Sequence, residues 1–152
     1  MPNNIPASDP AIASALVKRC FFAARALMED ALRPHGIGAT QWYVLHQLAT
    51  EGPTMQRELG RMLQIERATV SIVVSALVRK GLVEQVQDAT DQRQKLLRLT
   101  RWGSALWDEL PDLRFIQGAA FDGFSGDEIA TVIRVLGAAT ERLVQQSKGG
   151  TT

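Results

Sequence analysis

The feature that most constrains this chain is a pair of short amphipathic helices separated by a tight turn. We predict Thr54 as the N-cap of the first helix, because a hydroxyl there can accept a free backbone N–H. The apolar residues of that helix recur at helical spacing: Met55, Leu59, Met62 and Leu63. Gln64 and Ile65 form the turn. The second helix has one inward stripe: Val70, Val73, Val74 and Leu77. Gly81 ends this helix, after two cations that favour its C-terminal dipole.

Two short strands follow the second helix. Residues 82–86 and 95–99 are rich in Leu and Val, and a polar run from Gln87 to Gln94 separates them. A helix–turn–helix followed by a hairpin is the order of a winged helix-turn-helix, which places one helix in the major groove and the hairpin against the flanking backbone.

Charge is unevenly distributed along the chain, although the net charge is only +1. Residues 54–101 contain nine Lys/Arg and five Asp/Glu, which gives +4, and the remaining residues sum to −3. A basic middle between acidic ends is typical of a polyanion-binding module on a neutral or acidic frame.

Helices are predicted on both sides of this module. Before it, residues 11–32 carry one apolar stripe: Leu16, Cys20, Ala23, Leu27 and Ala31. Residues 34–38 break that helix. Thr40 is predicted to cap a short helix that ends near Glu51, with Trp42, Leu45 and Leu48 facing inward.

After the module, Thr100 is predicted to cap a helix that begins at Arg101 and is kinked by Pro111. Residues 125–128 form a capping box for the last helix. Its apolar stripe is Ile129, Val132, Ile133, Leu136, Thr140 and Leu143. The terminal helices have more apolar surface than the module can cover, so we expect a homodimer.

Composition excludes several classes of protein. At 152 residues the chain fits one domain, or one domain plus an assembly element, and its 45% of apolar residues is ordinary for a soluble protein. It has no apolar run long enough to span a membrane, and because its first residues lack a cationic start and an apolar core we expect no secretory signal. The single cysteine, Cys20, suits a reducing cytoplasm. The sequence has no glycine-rich phosphate loop and no nucleophile elbow, so we predict a cytoplasmic protein that is not an enzyme and needs no cofactor or metal.

The chain resembles the multiple-antibiotic-resistance regulator (MarR) family of bacterial transcription factors over roughly residues 11–146. The pieces that carry the resemblance lie in order at matching spacing: residues 38–42, 59–61, 68–71, 80–83, 91–93 and 99–103. The resemblance implies an obligate dimer with a winged module on each side, bound to a pseudo-palindromic operator and often released by a small ligand or by oxidation. Where the family often has Arg or another polar base-reading residue, this chain has Ile72 and Ala76.

We predict that double-stranded DNA is contacted by the outward face of the second helix, by the hairpin and by nearby groups. The candidates are Thr54, Arg57, Arg67, Thr69, Ser71, Ile72, Ser75, Arg79, Arg93 and Lys95. The resemblance puts the counterpart of Arg93 in the minor groove, where the negative potential favours arginine. The hydroxyls can meet bases or phosphates, and Ile72 can meet the methyl group of thymine.

A second set of residues indicates a crevice for a small effector. An aromatic wall with one cation and an imidazole suits an aromatic carboxylate or phenol, and the candidates are Phe21, Arg25, His35, Trp42 and His46. Two alternatives stay open: a winged protein-interaction module without DNA binding, and a regulator that senses oxidation through Cys20. The position of Cys20 on the apolar stripe favours a buried, inert thiol.

We therefore predict a mainly α fold with a small β-hairpin wing. Residues 11–146 form one domain between flexible tails at 1–10 and 147–152. Within it, residues 39–103 form the DNA-binding module, and residues 11–33 and 104–146 form the dimerisation helices. The predicted function is a transcriptional repressor that binds its operator as a homodimer and is released by a small aromatic effector.

Overall fold

A computed structural model describes residues 7–91 and 93–150. The helices are α1 (Pro10–Leu32), α2 (Ala39–Glu51), α3 (Gln56–Leu63), α4 (Arg67–Arg79), α5 (Arg101–Glu109), α6 (Arg114–Phe121) and α7 (Gly126–Gly149), and a 3₁₀ turn covers Arg33–His35. The strands are β1 (Thr54–Met55), β2 (Val83–Gln87) and β3 (Lys95–Leu99). The predicted fold class, mainly helical with a small hairpin, is confirmed.

The strands form an antiparallel sheet in the order β1-β3-β2. The hairpin pairs Val83 with Leu99 and Gln87 with Lys95. Strand β1 adds Thr54 opposite Leu97. The prediction that Thr54 caps a helix is therefore wrong: Met55 is the N-cap of α3, and the Thr54 hydroxyl donates to the Gly52 carbonyl at 3.0 Å.

The turn between α3 and α4 is as predicted. Gln64 takes a left-handed conformation with φ 54°, and the Ile65 N–H donates to the Gly60 carbonyl at 2.9 Å. Gly81 follows α4 with φ 74°, a conformation that favours glycine. These two turns fix the length of α4 and set its direction between α3 and the sheet.

The chain divides into a unit that ends at Leu113 and a unit that begins at Arg114. The helices α1, α2, α3 and α4 and the sheet each contribute at least one fully buried side chain to the core of the first unit. Its largest fully buried residues are Leu32, Leu45, Leu59, Leu77, Leu97, Val44, Val74 and Val83. The apolar period of α4 is confirmed for Val70, Val74 and Leu77, and Val73 is half-buried.

Three helix boundaries differ from the predictions. Gly38, not Thr40, is the N-cap of α2, and the Ala39 N–H donates to Glu29 Oε1 of α1 at 3.1 Å. Helix α5 ends at Glu109 and is not kinked by Pro111, because the residue before a proline avoids helical backbone; Leu110 has ψ 146°. Helix α7 continues to Gly149, past the predicted end at position 146.

The second unit contains α6 and α7. Ser125 caps α7 as predicted: its hydroxyl accepts the Glu128 N–H at 3.2 Å, and Glu128 Oε1 accepts the Ser125 N–H at 3.2 Å. The predicted apolar stripe of α7 is exposed apart from the half-buried Ile129, with Ile133 at 66% and Leu143 at 71%. None of the helices described is both long and apolar enough to cross a membrane.

Candidate nucleic-acid interface

Helix α4 presents an exposed polar face opposite its buried face. The hydroxyl residues Thr69, Ser71 and Ser75 are exposed, as is Arg79 near the C-terminal end. Ile72 lies among them with 70% of its surface exposed, so its predicted outward position is confirmed. Small side chains around one aliphatic group leave room for this face to approach a partner closely.

A cavity of about 680 Å³ lies between α3, the start of α4 and the hairpin loop. It brings together cations that are far apart in the sequence, and these are Arg57, Arg61, Arg67, Arg93 and Lys95. Asp91 is the acidic residue in its lining. The wall also includes Gln56, Ser71 and Gln94. Five cations facing one carboxylate create a site that favours a polyanion.

Internal contacts neutralise few of these charges. Arg61 pairs with Glu58 of the same helix. Asp91 accepts the backbone N–H of Arg93 at 3.0 Å and the Gln94 side-chain amide at 3.4 Å. Within residues 7–91 and 93–150, the other four cations of the cavity have no ion-pair partner. Their charges are available to a ligand.

The hairpin loop is shaped by its own hydrogen bonds. The Asp88 N–H donates to the Gln94 carbonyl at 3.0 Å, and the Gln94 N–H donates to the Asp91 carbonyl at 3.0 Å. The Asp88 carboxylate accepts the Thr90 hydroxyl at 2.9 Å. Because Asp91 holds the backbone of Arg93 and not its guanidinium, the arginine side chain at the tip is exposed.

Most of the predicted DNA-contacting residues therefore lie on two adjoining surfaces, the cavity and the outward face of α4. Thr54 does not line the cavity, and its hydroxyl is engaged at Gly52. Sequence reasoning did not propose Gln56, Arg61 or Gln94 as DNA contacts. Arg61 was visible as one of the nine cations of the segment and in residues 59–61 of the family resemblance, but nothing local shows that α3 turns it toward the hairpin.

The candidate effector residues are only partly brought together. Trp42 stacks on His46 with ring centroids 4.9 Å apart, and Trp107 of α5 approaches Trp42 to 5.5 Å. Arg25 donates to the Thr40 hydroxyl at 2.9 Å and lies 3.7 Å from Glu29. Sequence reasoning missed Trp107, whose position depends on the packing of α5.

The other two members stand apart from this cluster. Phe21 is 56% exposed, and its ring contacts Phe22 at 5.5 Å. His35 lies in the 3₁₀ turn and has no ring contact among the described residues. Cys20 is exposed, so the prediction of a buried thiol is wrong. The part of the chain that the structure describes has no group of three or more His, Cys, Asp or Glu residues that could hold a metal ion.

Comparison with known proteins gives consistent results. A model of the MarR family matches residues 35–94. An HTH-type transcriptional regulator of Staphylococcus aureus strain Mu50 is 30% identical over 124 residues, which is 80% of this chain and 85% of that protein. The HTH-type transcriptional regulator YwoH of Bacillus subtilis is 35% identical over 81 residues, and the match spans 58% of its length.

Solved structures show the same fold. A cysteine-to-serine mutant of MarR from E. coli, crystallised with operator DNA, has a TM-score of 0.76 at 24% identity, covering 83% of this chain and 91% of that one. The PcaV transcriptional regulator of Streptomyces coelicolor, in complex with its natural ligand, has a TM-score of 0.70 at 25% identity, covering 89% of this chain and 94% of that one.

Proposed function

Because this chain belongs to the MarR family of HTH-type transcriptional regulators, we propose that it is a repressor that binds a pseudo-palindromic operator as a homodimer in the cytoplasm. The observation that carries the proposal is the cationic cavity beside the outward face of α4. A helix of this kind enters the major groove, and the hairpin lies against the flanking backbone.

The residues divide into two roles in this proposal. The cavity cations other than Arg93, together with Arg79 on α4, bind phosphates and fix the position of α4, without reading sequence. Ser71, Ile72 and Ser75 face the base edges, where hydroxyls and an aliphatic group distinguish base pairs. Arg93 at the hairpin tip enters the adjacent minor groove.

Dimerisation is supported by apolar surface that the protomer leaves exposed. On α1, Leu16 and Phe21 are more than half exposed, and on α7 the stripe through Ile133 and Leu143 is exposed as well. Apolar surface on this scale marks an interaction site. A twofold axis through such an interface would present two copies of α4 to half-sites about one helical turn apart.

For the effector, we propose an aromatic carboxylate or phenol that binds at the Trp42–His46–Trp107 cluster. The rings provide an aromatic surface, and the Arg25 guanidinium supplies a cation from α1. Such a ligand acts only through its different affinities for the DNA-binding and the released dimer, so DNA must weaken ligand binding by the same factor.

The test is a binding assay on the DNA upstream of the chain's own gene, with mixed genomic DNA as competitor. We expect the upstream fragment to be bound at least about 10³-fold more tightly than competitor DNA. Equal affinity for the upstream fragment and the competitor would contradict binding to a specific operator. No affinity for either DNA would favour a protein-interaction module.

The same assay tests the effector. A panel of aromatic acids and phenols is added, and the protein's tryptophan emission is followed in parallel. We expect one member to weaken operator binding and to shift the emission. If no compound changes either signal, the proposed effector class is wrong.

A further inference from the structure

Lys80 follows the last residue of α4 but does not point to the cationic cavity. Its ammonium group donates to the Gly36 carbonyl at 2.5 Å and to Gln41 Oε1 at 2.9 Å. Gly36 lies in the connection between α1 and α2, and Gln41 lies in the first turn of α2. We name Lys80 with these two acceptors the Lys80 bridge.

The segment that Lys80 contacts, residues 36–41, is also hydrogen-bonded to α1. Gln41 Oε1 accepts the Gly38 N–H at 3.4 Å as well as the lysine. One residue on, Glu29 of α1 accepts the Ala39 N–H at 3.1 Å. A short set of polar contacts therefore runs from α1, through the N-terminal turn of α2, to the C-terminal end of α4.

The other cations of α4 are placed differently. Arg67 lines the cavity, and Arg79 is exposed; neither guanidinium donates a hydrogen bond to any described residue. Lys80 is exposed as well, but its charge is directed to two acceptors 44 and 39 residues earlier in the chain. A charge-assisted hydrogen bond to a backbone carbonyl restricts the position of both partners.

We propose that Lys80 is a positioning residue for DNA binding, which holds the C-terminal end of α4 at the orientation set by α1 and α2. The inference rests on the proposed function and deepens it, because it gives a route by which a change at α1 or α2 alters the angle of α4. Lys80 itself makes no contact with phosphate.

The first test compares Lys80→Met with Arg79→Met, which removes an equal charge one residue earlier. For Lys80→Met we expect operator affinity to fall about three- to tenfold, with an unchanged salt dependence and unchanged affinity for mixed DNA. For Arg79→Met we expect weaker binding to all DNA and a salt slope reduced by about two per dimer.

The second test removes one of the two acceptors of Lys80 without changing charge. Gln41→Leu should reproduce part of the loss, and the loss in the double variant should be smaller than the product of the two single losses, because both changes break the Lys80–Gln41 contact. Losses that multiply in the double variant would contradict the bridge. All affinities are measured well below the melting temperature, so that folding stability does not contribute.

A measurement without DNA separates this inference from the proposed function. In amide hydrogen exchange, Lys80→Met should accelerate exchange at residues 36–41 and at the end of α4, and leave the hairpin unchanged. Unchanged exchange in both segments, unchanged operator affinity, or a slope reduced as in Arg79→Met would each overturn the role of Lys80. A parent protein that binds no DNA would overturn the proposed function, and the exchange result would still decide whether the bridge couples the helices.

Discussion

At the scale of single residues, Ile72 is the strongest indication that the outward face of α4 is a binding surface and not an ordinary solvent-exposed face. One exposed aliphatic residue needs no explanation by itself. Here, however, it lies between exposed hydroxyls on α4, next to a cavity lined by five cations. The C5-methyl of thymine is the apolar group that the major groove offers to such a side chain.

We expect Ile72→Ala to leave the melting temperature nearly unchanged, because an exposed side chain contributes little to the core. It should weaken operator binding by about 1 kcal/mol and flatten the preference at one base pair in each half-site. Binding titrations against single-base operator variants measure this. Replacing the thymine contacted by Ile72 with uracil, which lacks the methyl group, should weaken operator binding by the parent protein to a similar extent. The same replacement should weaken binding by the Ile72→Ala variant little further. A sharp fall in melting temperature would instead place Ile72 in the core.

Arg98 on the hairpin provides a matched control for the role of Arg93. Both are exposed, but Arg98 pairs with Glu84 across the strands, whereas Arg93 has no ion-pair partner among the described residues. Arg93→Ala should weaken binding and reduce the preference for A·T-rich flanking sequence, because the narrow minor groove attracts arginine. Arg98→Ala should have a much smaller effect. Equal effects of the two changes in a binding titration would contradict a specific contact between Arg93 and the minor groove.

At the scale of elements, local signals predicted most of the fold. The apolar period of α4, the stop at Gly81 and the capping box at Ser125 all depend on neighbours within one or two turns. The predicted apolar face of α3 is only partly confirmed, because Leu59 is buried but Met62 is 51% exposed. Strand β1 could not be predicted, because its two residues become a strand only through pairing with β3, about forty positions later. The cap of α2 was misassigned for a similar reason: Glu29, on another helix, holds the first N–H.

The candidate site shows the same division. Composition and spacing identified the cationic segment and the outward face of α4. They could not show which cations converge, because Arg61 reaches the cavity only through the packing of α3. Trp107 joins the Trp42–His46 pair from a helix more than fifty residues later in the chain.

One close approach fixes how α5 follows the sheet. Thr100 caps α5 through the Gly103 N–H at 3.0 Å and donates to the Gly81 carbonyl at 2.5 Å. A Cβ on Gly103 would lie 2.0 Å from the Leu82 carbonyl oxygen, which is backbone and cannot move aside easily. This contact joins the end of α4, the sheet and α5.

Gly103→Ala should therefore destabilise the fold by about 1–3 kcal/mol, as overpacking does. Gly118→Ala in α6 is the matched control, because a Cβ there meets nothing within 4 Å and alanine favours a helix. Thermal and urea unfolding measure both. Equal stability of the two variants would contradict the close packing at Gly103.

At the scale of the whole molecule, we expect the exposed apolar faces of α1 and α7 to be buried against a second copy of the chain. We expect a dimer at micromolar concentration in sedimentation equilibrium. Leu143→Glu, at the most exposed apolar position of α7, should shift the protein toward monomer, because a carboxylate cannot be buried unpaired. Glu141→Gln is a control on the same helix. A parent protein that sediments as a stable monomer would contradict the dimer and its paired half-sites.

The most direct test of the central claim is the salt dependence of operator affinity. If two modules neutralise six to ten phosphates between them, the slope of log affinity against log salt concentration is about −5 to −9 per dimer. We predict that result, because the cations of the cavity and the hairpin supply these phosphate contacts in both modules. A slope near zero, or no binding at low salt, would contradict it.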